Sequence, residues 1–158
     1  MNGQVASVPR AVSPVDEDER RRIERECREI MVRMGHHLDS GRFEEFVDYF
    51  TADAEWHRRG KALKGREAIL AQLHKRSPTL ILRHVFTNFV VNVHDMDHAH
   101  CQAYMLGFRY DSGEVSSTPP PFRDANRALW VYHDDLVRTE AGWKVSRRSA
   151  ERIFEDPE

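Results

Sequence analysis

Cysteines and long apolar runs are scarce in this sequence, and their scarcity narrows the class of protein. The two cysteines, Cys27 and Cys101, stand far apart and fit neither a CxxC zinc site nor a secreted disulfide framework. No segment approaches the roughly 18 consecutive apolar residues of a membrane span, and the N-terminus lacks a signal-peptide core. We therefore expect a soluble protein without membrane association, in the reducing cytoplasm.

An excess of charge of one sign is also missing. The formal net charge is −2, although charged residues make up 32% of the chain. Arg20, Arg21 and Arg22 are interleaved with glutamates, so no basic stripe forms on the first predicted helix. Nucleic-acid binding is not expected, and the balanced charge argues equally against a positive field for acidic substrates.

Motifs for nucleophilic, phosphate and metal chemistry are absent as well. The chain has no GxSxG elbow, no GxGxxG loop and no GxxxxGK[ST] loop. His94, His98 and His100 lie in the segment HDMDHAH, but a solvated hairpin explains them better than a metal site. His36 and His37 are adjacent, so on a helix they point about 100° apart and cannot chelate one ion. We predict no metal and no cofactor, which leaves acid/base chemistry or plain binding.

The order of the predicted elements is typical of an α+β fold. We expect a disordered leader over residues 1–15 and a single domain over 16–158. Helical spacing and stop signals place the predicted helices at residues 16–39, 43–50 and 65–77. Alternation and turn residues place the predicted strands at residues 54–59, 80–88 with an extension to 94, 98–111, 125–140 and 142–154. Helices followed by antiparallel strands predict a sheet that curls around them.

A long loop is predicted over residues 112–124. It contains Gly113 and three consecutive prolines, from Pro119 to Pro121, which no central strand could hold. We regard this loop as a candidate lid over a binding site.

Two ionisable residues are predicted to face inward, Asp39 and His84. Steps of four along the first helix lead through Gly35 to Asp39, which places the carboxylate on the apolar ridge beside a cleared space. Strand alternation places His84 on one face with Leu82 and Phe86. The two residues form a catalytic pair only if their side chains meet, because a carboxylate then holds the imidazole in one tautomer as a base.

Each of these residues also has a simpler structural explanation. Asp39 begins the turn-forming tripeptide DSG, so it can merely end the helix. A histidine among apolar strand residues is commonly a satisfied core residue. Aromatic residues on the predicted strands can line a pocket or simply fill the core; they are Trp56, Phe86, Tyr104, Trp130 and Tyr132.

Three segments resemble a known family. LDSGRFEEFVDYFTADAEWHRRGKALKGREAI, RHVFTN and LVRTEAGWKVSRR resemble the SnoaL-like branch of the NTF2-like superfamily, and the resemblance covers residues 20–154. It implies a cone of N-terminal helices packed into a strongly curved, mainly antiparallel sheet around a deep apolar pocket. It also implies a homo-oligomer, with a trimer favoured over a dimer.

The lyases of this family work without a cofactor, and scytalone dehydratase, hexachlorocyclohexane dehydrochlorinase and bile acid 7α-dehydratase are examples. The resemblance matches Asp39 and His84 to their catalytic pair, and Arg138 and Arg152 to pocket arginines. Other positions depart from the family, because hydroxyl-bearing tyrosines of the lyases are replaced here by Leu38, Trp56 and Met34. The pair is thus kept while the donor to the leaving group has changed.

The resulting hypothesis is a cofactor-independent lyase of the dehydratase type that acts on a small hydroxylated aromatic, polyketide-like or steroid-like substrate. His84 is the predicted base and Asp39 its orienting acid. The predicted substrate-binding residues are Met34, Trp56, Phe86, Tyr104, Tyr132, Arg138 and Arg152. Candidate proton donors to the leaving group are Tyr104, Tyr132, His57 and His133.

Other functions stay open on the same residues. An isomerase or a retro-aldol lyase that releases an aldehyde would use the same base. A non-catalytic protein that binds a small molecule or a protein partner, such as a dioxygenase β-subunit, would need neither Asp39 nor His84 for chemistry.

Overall fold

The computed structural model describes residues 15–58, 60–121 and 127–154. The predicted leader over residues 1–15 lies outside these ranges except for Val15, as does the end of the predicted loop, residues 122–124. Residues 112–121 of that loop are described, and they form neither helix nor strand.

The described ranges contain three helices and six strands. The helices are α1 (Glu17–Asp39), α2 (Phe43–Val47) and α3 (Arg66–Leu73). The strands are β1 (Phe50–Arg58), β2 (Lys61–Lys64), β3 (Ile81–Val93), β4 (His98–Tyr110), β5 (Arg127–Thr139) and β6 (Gly142–Arg152). The α+β class predicted from the sequence is confirmed.

All six strands form one curved, unclosed sheet in the order β2-β1-β6-β5-β4-β3. Every neighbouring pair is antiparallel except β1 and β6, which run parallel. The helices cover one face of this sheet, as the NTF2-like cone requires. The mainly antiparallel arrangement expected from the resemblance is therefore present, with a single parallel pairing that the sequence did not reveal.

Helix α1 supplies the ridge that fills the cone. Asp16 caps its first turn by accepting a hydrogen bond from the Glu19 amide at 2.8 Å. Its buried residues recur at intervals of three and four, and they are Ile23, Cys27, Met31, Met34, Gly35 and Leu38. This is the apolar stripe of an amphipathic helix, and it packs against inward side chains of the sheet.

Two predicted boundaries near β1 are wrong. Phe50 keeps helical spacing with Phe46, yet it begins β1, and α2 ends at Val47. Both rings are fully buried 5.4 Å apart, so burial in one aromatic cluster explains the spacing without a continuous helix. The short strand β2 was missed because its four residues, Lys61–Lys64, are almost all exposed and carry no apolar alternation.

Strand β3 runs its full length through an irregularity. The register with β4 shifts between Thr87 and Val90, and Asn88 adopts a φ of 52°. This bulge changes which positions face the core, because Phe86 packs inward before it and Val91 packs inward after it. The simple alternation of the sequence is interrupted there.

Both cysteines are buried and free. Burial raises the pKa of Cys27 to about 12 and that of Cys101 to about 12. The two thiols therefore stay protonated near neutral pH and serve as small apolar core residues.

A buried ion pair lies in the core, and no sequence pattern predicted it. Arg148 on β6 donates two hydrogen bonds to Asp134 on β5, at 2.7 and 2.6 Å, and both side chains are 1% exposed. The guanidinium carbon also lies 5.5 Å from the ring centroid of Tyr132 and 5.9 Å from those of Phe46 and Phe50. This bidentate geometry satisfies both buried charges inside an aromatic shell.

Removing one partner of this pair should destabilise the protein strongly. We expect Asp134→Ala to lower the free energy of unfolding by about 3–5 kcal/mol, because it leaves the Arg148 charge buried and uncompensated. Urea denaturation measures the effect. The neighbouring Asp135→Ala is the matched control, since that side chain is 53% exposed. Equal losses in the two variants would contradict a sealed, paired arginine.

Candidate active site

Asp39 and His84 meet where the end of α1 reaches β3. The Asp39 Oδ1 lies 2.5 Å from the His84 Nδ1, and the His84 backbone N–H donates to the Asp39 Oδ2 at 2.8 Å. The two side chains are 11% and 10% exposed. Both oxygens of one carboxylate therefore hold one histidine, by its backbone and by its ring.

This contact fixes the tautomer of the imidazole. An ionised carboxylate only accepts hydrogen bonds, so the hydrogen on the neutral His84 ring belongs on Nδ1. The lone pair then remains on Nε2, and the His84 side chain lines a cavity. The arrangement presents an oriented base to whatever occupies that cavity.

The contact depends on a close approach of α1 to β3. A Cβ placed on Gly35 would lie 2.8 Å from Phe86 Cε2 and 3.6 Å from His84 Cβ. Only glycine lets the helix lie this near the strand, one turn before Asp39. The cleared space expected beside Gly35 is thus filled by the Phe86 ring, which stacks beside the His84 ring with centroids 6.3 Å apart.

Asp39 also has a structural role at the end of α1. It is the last residue of α1, and Gly41 follows with a φ of 70°, so the turn explanation is correct as far as it goes. Strand β3 lies at the edge of the sheet. Asp39 accepts a hydrogen bond from a backbone N–H of this edge strand. Exposed sheet edges otherwise leave such groups unpaired.

The cavity beside His84 has a volume of about 470 Å³, within the usual range for small-molecule sites. Small residues leave space next to the imidazole, because His84 pairs with Gly107 across β3 and β4, and Gly107 pairs with Ala128 on β5. Larger apolar side chains complete the walls, namely Leu38, Trp56, Leu80, Leu82, Met105 and Trp130.

Three of the residues predicted to bind substrate line this cavity: Trp56, Tyr132 and Arg152. Two others lie behind its walls. Met34 is fully buried, and its sulfur lies 3.2 Å from the Arg148 Nη2. Phe86 packs edge-on against Tyr132 with ring centroids 5.5 Å apart. These two shape the cavity from behind.

Tyr104 and Arg138 lie elsewhere. Tyr104 is 40% exposed on the opposite face of the sheet, between the inward residues Ala103 and Met105. Arg138 pairs with Glu19 at 2.9 Å and stacks over Trp143 at 5.0 Å, away from His84. Their structural positions give no support for a role in this cavity.

Of the four candidate proton donors, Tyr132 and His57 line the cavity. Burial raises the pKa of Tyr132, which keeps its phenol protonated at neutral pH. The His57 Nε2 lies 3.0 Å from Glu55 Oε2, so one ring nitrogen of His57 already has a hydrogen-bond partner. His133 lies on the outer face, where its Nδ1 is 3.4 Å from the His100 Nε2. Tyr132 thus combines a position at the cavity with a protonated phenol.

The histidine-rich segment forms a hairpin stabilised by local contacts. Asp95 accepts hydrogen bonds from the backbone of Asp97 and His98 and lies 2.9 Å from the His98 ring nitrogen. His100 pairs with Asp135 at 2.7 Å on the outer face of the sheet. Within the described ranges, no cluster of three or more His, Cys, Asp or Glu residues could hold a metal ion.

The family can now be stated from comparison as well as from geometry. The SnoaL-like domain family matches residues 19–149, most of the chain. The protein belongs to the SnoaL-like family. No curated protein sequence matches it significantly.

Solved structures share the SnoaL-like fold over nearly the whole chain. A candidate scytalone dehydratase from Novosphingobium aromaticivorans is 19% identical with a TM-score of 0.73, and the alignment covers 88% of this chain and 89% of that one. A hexachlorocyclohexane dehydrochlorinase of type 2 is 16% identical with a TM-score of 0.72, covering 88% and 90%. A Catenulispora acidiphila protein in complex with S-DNPA is 27% identical with a TM-score of 0.65, covering 84% and 94%.

The helices of this SnoaL-like protein do not resemble membrane spans. In the part of the chain that the structure describes, none combines the length and hydropathy needed to cross a bilayer.

The close approach at Gly35 gives a prediction. Gly35→Ala should lower the free energy of unfolding, because the clash with Phe86 costs about 1–3 kcal/mol, more than the helix propensity of alanine returns, about 1 kcal/mol. In a Phe86→Leu background the clash is relieved, so the same substitution should cease to destabilise. Urea denaturation of the unmodified protein, the two single variants and the double variant completes a double-mutant cycle. An equal loss in both backgrounds would show that the ring is not the obstacle.

Proposed function

We propose that this protein is a cofactor-independent lyase in which Asp39 and His84 remove a proton from a carbon of the substrate. The observation that carries the proposal is the 2.5 Å contact between the two side chains at the wall of a cavity of about 470 Å³. An orienting carboxylate, an imidazole and space for a substrate are together what general-base catalysis requires.

The proposed reaction is an elimination. Nε2 of His84 takes the proton, and Asp39 stabilises the imidazolium that forms. The electron pair of the broken C–H bond becomes the new C=C bond as the bond to the leaving group breaks. In a dehydration, Tyr132 donates its proton to the departing hydroxyl, water leaves, and the proton on His84 returns to the phenolate through solvent.

The proposed substrate has an activated C–H bond. A positioned base contributes about 10²–10⁴-fold to the rate, which is too little for an unactivated alkane. Hydroxylated aromatic, polyketide-like or steroid-like molecules offer such a bond, and Trp56 and Trp130 provide aromatic walls for their rings. The dehydratase and dehydrochlorinase among the similar structures support the same class of chemistry.

Two other functions share the same cavity. An isomerase or an aldehyde-releasing lyase would use the His84 base, and the replacement of family tyrosines by Leu38 and Trp56 favours a reaction with other proton-donor needs. A non-catalytic binding protein is the competing class, and the duty of Asp39 at the edge of β3 is the observation that favours it.

Activity measurements on substituted proteins test the proposed base. Hydroxylated aromatic compounds are screened for the new ultraviolet absorbance that a conjugated product brings. On a substrate found this way, His84→Ala should reduce kcat/KM by about 10²–10⁴-fold, because the base is lost. Asp39→Asn should reduce kcat strongly as well, since the tautomer is no longer fixed.

A matched control is His98→Ala, which removes a histidine paired to an aspartate at 2.9 Å on an exposed hairpin. Its activity should equal that of the unmodified protein. Full turnover by His84→Ala would refute the base assignment, and unchanged turnover by Asp39→Asn would refute the orienting role.

We also propose that the protein forms a homo-oligomer, with a trimer favoured. The outer face of the sheet exposes large apolar side chains, including Val85 at 50%, Val90 at 53% and Tyr104 at 40%. Such a face is unusual on a soluble monomer and suits contact with a second copy. Light scattering should give a multiple of the chain mass, which Val85→Glu should reduce. A monomeric mass for the unmodified protein would end this proposal.

A further inference from the structure

The cavity beside His84 is lined by an excess of cationic side chains. Lys75 and six arginines contribute to its walls, and the arginines are Arg58, Arg76, Arg83, Arg109, Arg127 and Arg152. The only acid among the described lining residues is Asp111. Across the whole chain, by contrast, 26 acidic residues outnumber 24 lysines and arginines. The described lining of the cavity therefore carries charge opposite in sign to the net charge of the chain.

These cations come from the strand ends that meet at one end of the sheet. Arg58 and Arg152 are the last residues of β1 and β6, Arg127 is the first of β5, and Arg109 is the last but one of β4. We call these four arginines, with Arg76 and Lys75, the cationic collar; Arg83 is not included, because it is exposed between the inward residues Leu82 and His84 and its Nη1 donates to the Leu82 carbonyl. Because they arise from different parts of the chain, no single stretch of the sequence contains all of them.

Two arginines of the collar are held against aromatic walls. The guanidinium carbon of Arg58 lies 5.3 Å from the ring centroid of Trp56, and that of Arg152 lies 5.9 Å from that of Trp130. Stacking restrains the plane of a guanidinium and leaves hydrogen bonding to its edge. The planes of these two guanidinium groups are therefore restrained beside the aromatic walls of the cavity.

Arg152 and His84 face the cavity from different walls. Register pairs Arg152 with Trp130, Trp130 with Met105, and Met105 with Phe86. His84 is the next inward position on β3 after Phe86. Two strands thus separate the arginine from the base, and both residues line the same cavity.

Asp111 offsets only part of the collar. Its Oδ1 accepts hydrogen bonds from Thr79 at 2.6 Å and Ser77 at 3.0 Å, and the Arg109 Nη2 lies 3.7 Å from its Oδ2. The hydrogen bond from Thr79 lowers the pKa of Asp111, so this carboxylate stays ionised at neutral pH. Asp39 adds one more negative charge behind His84. Among the described lining residues, cationic side chains thus outnumber acidic ones.

We propose that the cationic collar binds an oxyanion carried by the substrate, so that this site selects anionic molecules with an apolar or aromatic body. The inference rests on the proposed function only in taking the cavity as the substrate site. A cleft lined by charge of one sign concentrates ligands of the opposite sign and speeds their capture. A carboxylate and a phosphate ester share the chemistry that the collar recognises.

The test is equilibrium binding to the full chain, measured by calorimetry at low ionic strength. The probes are 4-hydroxyphenylacetate and 4-hydroxyphenyl phosphate, the neutral 4-hydroxyphenylacetamide, and the cationic tyramine. An anion should bind at least about tenfold more tightly than the amide, as charge-assisted hydrogen bonds predict, and tyramine should bind least. The two anions distinguish a carboxylate from a phosphate preference. Added salt should weaken the binding of the anion more than the binding of the amide.

Variants locate the effect. Arg152→Gln should raise the Kd of the preferred anion about tenfold and leave the Kd of the amide unchanged. Arg21→Gln removes the same charge from the exposed side of α1, where Arg21 pairs with Glu17 at 3.2 Å, and should bind like the unmodified protein. The proposal is overturned if neither anion binds more tightly than the amide, a comparison that needs no variant.

Binding also separates this inference from the proposed catalysis. His84→Ala should still bind the preferred anion within a few fold, because the base is not part of the collar. Anion binding with unchanged turnover in His84→Ala would refute the base and keep the collar. Loss of turnover in His84→Ala without any preference for anions would do the reverse.

Discussion

The contact between Asp39 and His84 is the interaction on which the geometry of the cavity wall depends. It joins the last residue of α1 to the edge strand β3 through two hydrogen bonds. The same contact orients the imidazole and satisfies the backbone of an edge strand. Gly35 makes it possible, because any larger residue one turn earlier would hold the helix away from Phe86. The orientation of the imidazole and the packing of α1 against β3 therefore depend on the same contact.

Two ionic contacts in the protein differ in exposure. Arg148 and Asp134 are 1% exposed, and aromatic rings surround the guanidinium. His84 is 10% exposed and lines the cavity. Tyr132 connects the two regions, since its ring contacts the Arg148 charge and also lines the cavity.

The distribution of charge shows why composition is a poor guide to a site. A net charge of −2 argued against recognition of acidic ligands. The fold brings scattered arginines such as Arg58, Arg109 and Arg152 to one opening, while many acids lie on exposed helix surfaces. Net charge describes the far field of a protein, whereas a ligand in the cavity meets only its lining. The sequence predicted an apolar aromatic pocket. The walls formed by residues such as Trp56 and Trp130 fit that description, whereas the cationic collar does not.

By itself, the sequence determined the features that depend on the periodic spacing of side chains within one helix or strand. The stripe along α1, the inward position of His84 and the α+β order follow from side-chain spacing within one element. The family resemblance added the pairing of Asp39 with His84. Only the tertiary structure decided the parallel pairing of β1 with β6 and the Arg148–Asp134 pair. It also placed Tyr104 and Arg138 away from the cavity. Those features join residues distant in sequence, and the spacing within a single element carries no information about its neighbour.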